Sequence, residues 1–181
     1  MDRRLPLAKP AKPRGSAAVP LAALALALLP LGGASAAVPA APPPFDPVAF
    51  FSGRTTGEGV LKKIFSAPTD THVVSLGKVE PDGVLVLDQT VKIDGYKTLD
   101  RVWHLRQTAP GHFTGTLTGA RGPVSADVIG GVLHIDYTDN DGFAFRQQLT
   151  LAPGGQSARN VMKIRRFGMT FATVNEVITR G

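Results

Sequence analysis

Apolar and polar residues alternate along most of this chain in short runs, and turn residues break the runs at close intervals. VLVLDQTVKI (84–93), RVWHLRQ (101–107), HFTGTL (112–117), VLHIDY (132–137), FAFRQQLTL (143–151) and TFATVNEVI (170–178) are rich in β-branched and aromatic residues, which favour the pleated, half-buried surface of a sheet. Between the runs lie APTD, PDG, DG, APG, GARG, GG, DNDG, APGG and FG. Turn signals recurring roughly every 8–14 residues predict an all-β sandwich or barrel. After residue 52 no run carries a helical period, and no solenoid repeat is present. The one helical signature is FDPVAFF (45–51). Asp46 suits the N-cap, Pro47 the first helical position, and Phe45 and Phe50 a hydrophobic staple. Gly53 then ends the helix.

Two turns set registers. At DNDG, a three-residue loop (Asn140, Asp141, Gly142) sets Tyr137 opposite Phe145 and Leu133 opposite Leu149, so both apolar sets share a face. A two-residue loop would set Tyr137 against Arg146. The first matches a type I turn with Gly142 left-handed at a bulge. At Asp94-Gly95, a two-residue type I′ turn is the strongest hairpin signal. It pairs Val86 with Trp103, Val84 with Leu105, and Asp88 with Arg101. This accounts for an arginine sharing the face of the chain's one tryptophan: an inward Arg101 is tolerable when a carboxylate opposes it. We place the Trp103 face inside, although Leu85, Leu87, Val91 and Val102 make the other face apolar too.

The N-terminus reads as an address. Arg3, Arg4, Lys9, Lys12 and Arg14 precede an apolar run broken by Pro20 and Pro30, too short for the about 20 residues of a membrane span. Ala34 and Ala36 fit a signal-peptidase site. The expected organisation is a signal peptide over 1–36, a Pro/Ala linker over 37–44 and a barrel domain over 45–181, exported to the periplasm without a stable membrane anchor. Arg3-Arg4 is a weak hint of twin-arginine export. The basic leader carries most of the formal net charge of +6, so the high pI does not indicate nucleic-acid binding.

Candidate chemistry is sparse. The chain has no cysteine, which excludes disulfides, thiol catalysis and Cys-based metal sites. His72, His104, His112 and His134 are scattered without metal-ligand spacing. DYTDNDG fails as a calcium loop because the twelfth position falls on Gln148. No nucleophile elbow or phosphate loop occurs. The expectation is a protein that is not an enzyme and has no cofactor. What remains is the barrel interior, with Trp103, Leu105, Phe113, Tyr137, Phe143 and Phe145 among its lining. Arg101 and Asp88 would receive a ligand head group or close one end of the barrel. Two readings stay open: a cavity for a lipid or other apolar small molecule, or a filled core in an envelope protein that binds a protein partner.

Three segments also resemble a known family. FDPVAFFSGRTTGEG, LVLDQTVKIDGYKTLDRVWHLRQ and MKIRRFGMTFATVNEVI are similar, in order and spacing, to the bacterial envelope proteins grouped as domain of unknown function 3833. The resemblance covers nearly the whole chain after the leader. It implies a small calycin- or lipocalin-like β-barrel in the envelope and no activity. The chain departs from the family pattern in three ways. It lacks the lipobox cysteine of many members, it has Gln89 where the pattern has an acid, and it lacks a Trp-rich stretch before the last motif.

Overall fold

The computed structural model describes residues 44–181; the leader and all but the last linker residue lie outside them. One short helix, α1 (Pro47–Phe51), precedes ten strands: β1 (Gly53–Lys63), β2 (Thr69–Val79), β3 (Leu85–Ile93), β4 (Leu99–Ala109), β5 (His112–Leu117), β6 (Val124–Ile129), β7 (Val132–Thr138), β8 (Ala144–Leu151), β9 (Ser157–Arg166) and β10 (Met169–Arg180). Each strand pairs antiparallel with the next, and β1 pairs with β10, closing the barrel. Closure removes every sheet edge. The all-β barrel expected from the turn rhythm is thus the observed fold.

The alternation of the runs becomes inside and outside. On β7, Leu133, Ile135 and Tyr137 are buried while Asp136 is exposed. The DNDG turn has the expected register, with Leu133 opposite Leu149 and Tyr137 opposite Phe145. Gly142 is left-handed at φ 84°. The Asp139 side chain accepts from the Phe143 N–H at 2.8 Å, so this acidic loop is a hydrogen-bonded turn.

The β3–β4 hairpin differs from expectation by one residue. Leu85 faces Leu105, Leu87 faces Trp103, and Gln89 faces Arg101. Asp88 faces Val102 and is exposed on the outside of the barrel. The cause is in the turn. Gly95 is left-handed at φ 75°, but Asp94 is not among the residues of positive φ, and type I′ needs both. The chain instead closes a turn from Ile93 to Tyr96 and runs on to Thr98 before pairing resumes at Leu99. The slip exchanges the two faces of β3.

One end of the barrel is plugged. The Asp46 carboxylate accepts from the Ala49 N–H at 3.0 Å and Pro47 opens the helix, as the sequence predicts. Phe45 and Phe50 pack with ring centroids 5.1 Å apart. Phe51 meets Phe50 edge-on at 5.0 Å. Gly77 admits the plug, since a Cβ there would overlap the Phe51 carbonyl oxygen. Phe45 donates its N–H to the Gly131 carbonyl at 3.2 Å, tying the entry segment to the β6–β7 turn.

Candidate functional site

The barrel interior is filled in one part and hollow in another. Phe113 and Leu117 of β5, Val124 and Ala126 of β6, and Leu133 of β7 pack into a core with the phenylalanines of the plug. Phe113 therefore belongs to the filled part and does not face the hollow. Beside this core lies a cavity of about 160 Å³. That is close to the roughly 150 Å³ of an engineered cavity that holds benzene in another protein. One ring or a short stretch of acyl chain fits it; a whole phospholipid does not.

The hollow arises from side-chain size. Short of Leu61 at the tip end, the inward stripe along β1 and β2 is Thr55, Gly57, Thr71, Val73 and Ser75. These side chains stop short of the barrel axis. The facing wall, from β3, β4, β7 and β8, is bulky: Leu87, Trp103, Leu105, Tyr137, Phe145 and Leu149. Trp103 meets Tyr137 edge-on at 5.6 Å, and Tyr137 stacks on Phe145 at 4.6 Å. The cavity is therefore amphipathic, aromatic on one side and small and polar on the other.

Three polar groupings line it. Trp103 Nε1 donates to Gln89 Oε1 at 3.2 Å, and Gln89 Nε2 donates to Ser75 Oγ at 3.2 Å. Gln89 thus does for the indole what Asp88 was expected to do for Arg101. Arg101 Nη1 donates to the Tyr137 hydroxyl at 3.4 Å. Among the described residues no carboxylate forms an ion pair with Arg101. Burial raises the Tyr137 hydroxyl above its usual range, against the opposing influence of Arg101, so Tyr137 is neutral and free to donate in turn.

The third grouping centres on Glu176. Its carboxylate is 8% exposed on the inward stripe of β10. Asn160 Nδ2 donates to Glu176 Oε2 at 2.9 Å and to Gln147 Oε1 at 3.1 Å. Gly57 makes room for it, because a Cβ there would overlap Glu176 Oε1. Burial pushes the Glu176 carboxyl above its ordinary value; the Asn160 hydrogen bond acts the other way, and Glu58 adds a smaller push upward. The Asn160 carbonyl oxygen and the Thr71 hydroxyl are buried without a hydrogen-bond partner in the protein. Unmet acceptors and donors in a roomy polar wall suit a bound polar group.

Of the residues predicted to line the interior, Arg101, Trp103, Leu105, Tyr137 and Phe145 do so. Asp88 does not, for the register reason above. Phe143 does not either. It sits in the DNDG turn ahead of β8, beyond the barrel wall, against Phe171 at 5.3 Å and under the Arg166 guanidinium at 4.7 Å. Glu176 and Asn160 were not singled out from sequence, and Gln89 stood out there only as a departure from the family pattern. The signal for Glu176 was one acid in the otherwise apolar stripe Ala172, Val174, Ile178. The histidines decorate the outside: His72 contacts Glu58 at 2.5 Å and His112 contacts Asp127 at 2.7 Å. Among the described residues no cluster of three or more metal-ligating side chains occurs.

A profile of the family described as Protein of unknown function (DUF3833) matches residues 34–180. The chain belongs to that family. No curated protein matches it. Among solved structures, the S-type phycobiliprotein lyase CPES from Guillardia theta superposes with a TM-score of 0.57 at 7% identity, covering 74% of this chain and 90% of the lyase. A protein of unknown function from the DUF3598 family of Nostoc punctiforme superposes with a TM-score of 0.60 at 12% identity, covering 81% of this chain and 53% of that one, about half its length. At such identities the likeness concerns the fold: this member of the family shares a lipocalin-like barrel with both.

Proposed function

We propose that this family member is a non-catalytic carrier or sensor of a small acidic amphiphile, working in the periplasm to which its leader would send it. The apolar part of the ligand lies against Trp103, Tyr137 and Phe145, and its acidic group is held by Arg101 with the Tyr137 hydroxyl. The observation that carries this reading is Arg101 itself. With Asp88 outside, a guanidinium faces the cavity without a carboxylate to pair with. A half-buried cation of this kind is best satisfied by an anion. Glu176, whose carboxyl burial pushes above its ordinary value, offers a second polar contact to the rest of the polar group. The cavity volume favours a ring or a short chain over a full lipid.

The single tryptophan reports directly on the cavity. Titration of the purified protein with octanoate should change Trp103 fluorescence and saturate at one molecule per chain, and native mass spectrometry should show the matching adduct. Arg101→Met should weaken binding about thirtyfold or more, the usual penalty for removing one partner of a desolvated charge pair. Octyl alcohol should bind the two proteins alike. No saturable signal and no adduct with octanoate, together with no small molecule in an organic extract of the protein, would overturn the reading. The filled-barrel alternative, with function on the outer surface, would then be preferred.

A further inference from the structure

The two residues of the described chain that are non-glycine and left-handed are both phenylalanines: Phe65 at φ 60° and Phe167 at φ 50°. Each is almost wholly exposed, at 103% and 86%. Bulky residues rarely adopt this conformation, and it is costly where they do. Here it is used to hold an aromatic ring out in solvent, which the hydrophobic effect also disfavours. Strain of this kind points toward a function.

The two rings lie on neighbouring hairpin tips. Phe65 tops β1–β2 and Phe167 tops β9–β10, and the tips are joined by a hydrogen bond from the Ile64 N–H to the Phe171 carbonyl at 3.1 Å. Both tips stand at the end of the barrel away from α1, next to Leu61 and Ile164 of the cavity wall. Among the described residues every exposed aromatic ring is at this end, Tyr96 and Phe171 included. The turns of the opposite end carry Gly, Pro, Ala and polar residues, with the aliphatic Val79 and Ile129 exposed beside them and no exposed Phe, Tyr or Trp among the described residues.

Charge separates this patch from a protein-facing hydrophobic spot. Lys62 and Lys63 precede Phe65, and Arg165 and Arg166 precede Phe167. From Val60 to Thr69 and from Val161 to Asn175 there is no carboxylate. The acids at this end flank the two tips: Asp70 on β2 and Asp94 and Asp100 at β3–β4 on one side, and Asp139 and Asp141 of the β7–β8 turn on the other, where Phe143 packs against Phe171 and Arg166. Aromatic rings that prefer the headgroup boundary, interleaved with cations on tips that carry no carboxylate of their own, fit an anionic bilayer surface.

We propose that the end of the barrel opposite α1 docks on an anionic phospholipid membrane, with Phe65 and Phe167 inserted at the headgroup level and the Lys and Arg pairs on the lipid charges. The inference goes beyond the ligand reading and does not depend on it. Docking would bring the end of the cavity wall at Leu61 and Ile164 to the source or destination of an amphiphile, but the patch binds whether or not the cavity is filled.

The test is flotation of the protein, as recovered from cells, with phosphatidylglycerol vesicles and with phosphatidylcholine vesicles at low and high salt. Wild type and variants share the N-terminal segment, so its contribution is common to all. The expected result is binding to phosphatidylglycerol that falls at high salt, with little binding to phosphatidylcholine. Phe65→Asn/Phe167→Asn places a residue that tolerates the left-handed region at both tips, so it should melt no lower than wild type and yet lose most vesicle binding. Each of Arg165→Gln and Arg166→Gln should weaken binding to phosphatidylglycerol about fivefold. Arg101→Met should bind vesicles like wild type, so failure of the ligand reading and failure of this one are separable. Equal binding to both vesicle types, or unchanged binding by the Phe double variant, overturns the proposal. So does the absence of binding to phosphatidylglycerol vesicles; cross-linking of a protein at the tips would then make the patch a protein interface.

Discussion

Glu176→Gln tests the interior most directly, because the buried carboxyl ties the protein's stability to pH with a definite sign. In the unfolded chain Glu176 titrates near its ordinary value of 4.5; in the barrel, burial raises that value. Between the two the folded state holds a proton that the unfolded state has lost, so stability falls as pH rises through this window. Below the ordinary value both states are protonated and the group costs nothing. Above the folded value the cost is complete. One proton is involved, so the slope cannot exceed about 1.4 kcal/mol per pH unit. Glutamine keeps the shape and the bond from Asn160 but does not ionise. Urea denaturation of both proteins from pH 4 to 9 should therefore give nearly equal stabilities at the acid end. The variant should gain through the window to an advantage on the order of 1–3 kcal/mol at neutral pH, the range for a buried polar group short of partners. Taking the difference between the two proteins cancels the titration of every other group not coupled to Glu176. A difference that is flat with pH, or a wild type that gains on the variant as pH rises, would refute the account of Glu176 as a desolvated acid.

Two further substitutions probe the parts that shape the cavity. Gly57→Val puts a side chain where the Glu176 carboxylate lies; it should cost about 1–3 kcal/mol through overpacking and abolish the Trp103 fluorescence response to octanoate. Asp46→Ala removes the N-cap of the plug helix; it should cost about 1 kcal/mol and lower the thermal midpoint by a few degrees, with octanoate binding intact.

How far the sequence disclosed this site depended on local turn chemistry. DNDG placed Tyr137, Phe145, Leu133 and Leu149 on one inward face because Gly142 alone needed a left-handed φ and the apolar residues on both sides agreed with that register. Asp94-Gly95 carried a stronger motif and misled. The motif does not fix the φ of Asp94, and the apolar Leu85 and Leu87 were as good a core face as Val84 and Val86. Either register buried an apolar set, so the hydrophobic pattern could not arbitrate, and Asp88 was placed inside where Gln89 stands. Phe143 has the inward parity of β8 but lies one residue before the strand begins, where parity no longer sets direction. Glu176 was hidden for another reason: an acid on a strand is read as outward by default, and only its pairing with Asn160 and the space over Gly57 make an inward acid tolerable.

The hollow is more than a packing lapse. Filling a barrel interior needs only larger side chains on one stripe, and Val or Leu at Thr55 or Ser75 would gain buried apolar contact at little entropic cost. The chain instead holds small and polar residues along much of β1 and β2, an acid on β10 whose charged form burial disfavours, and a guanidinium on β4 that no carboxylate among the described residues pairs with. Each of these is unfavourable for stability alone. They converge on one cavity, while the other half of the same barrel, around Phe113 and Leu133, is packed without polar intrusions. A sequence that packs one half by the ordinary rules and breaks them together in the other half separates its scaffold from its site. In this barrel the wall of that cavity reaches Leu61 and Ile164, beside the tips that carry Phe65 and Phe167, so the strained tips and the polar-lined cavity adjoin at one end of the protein.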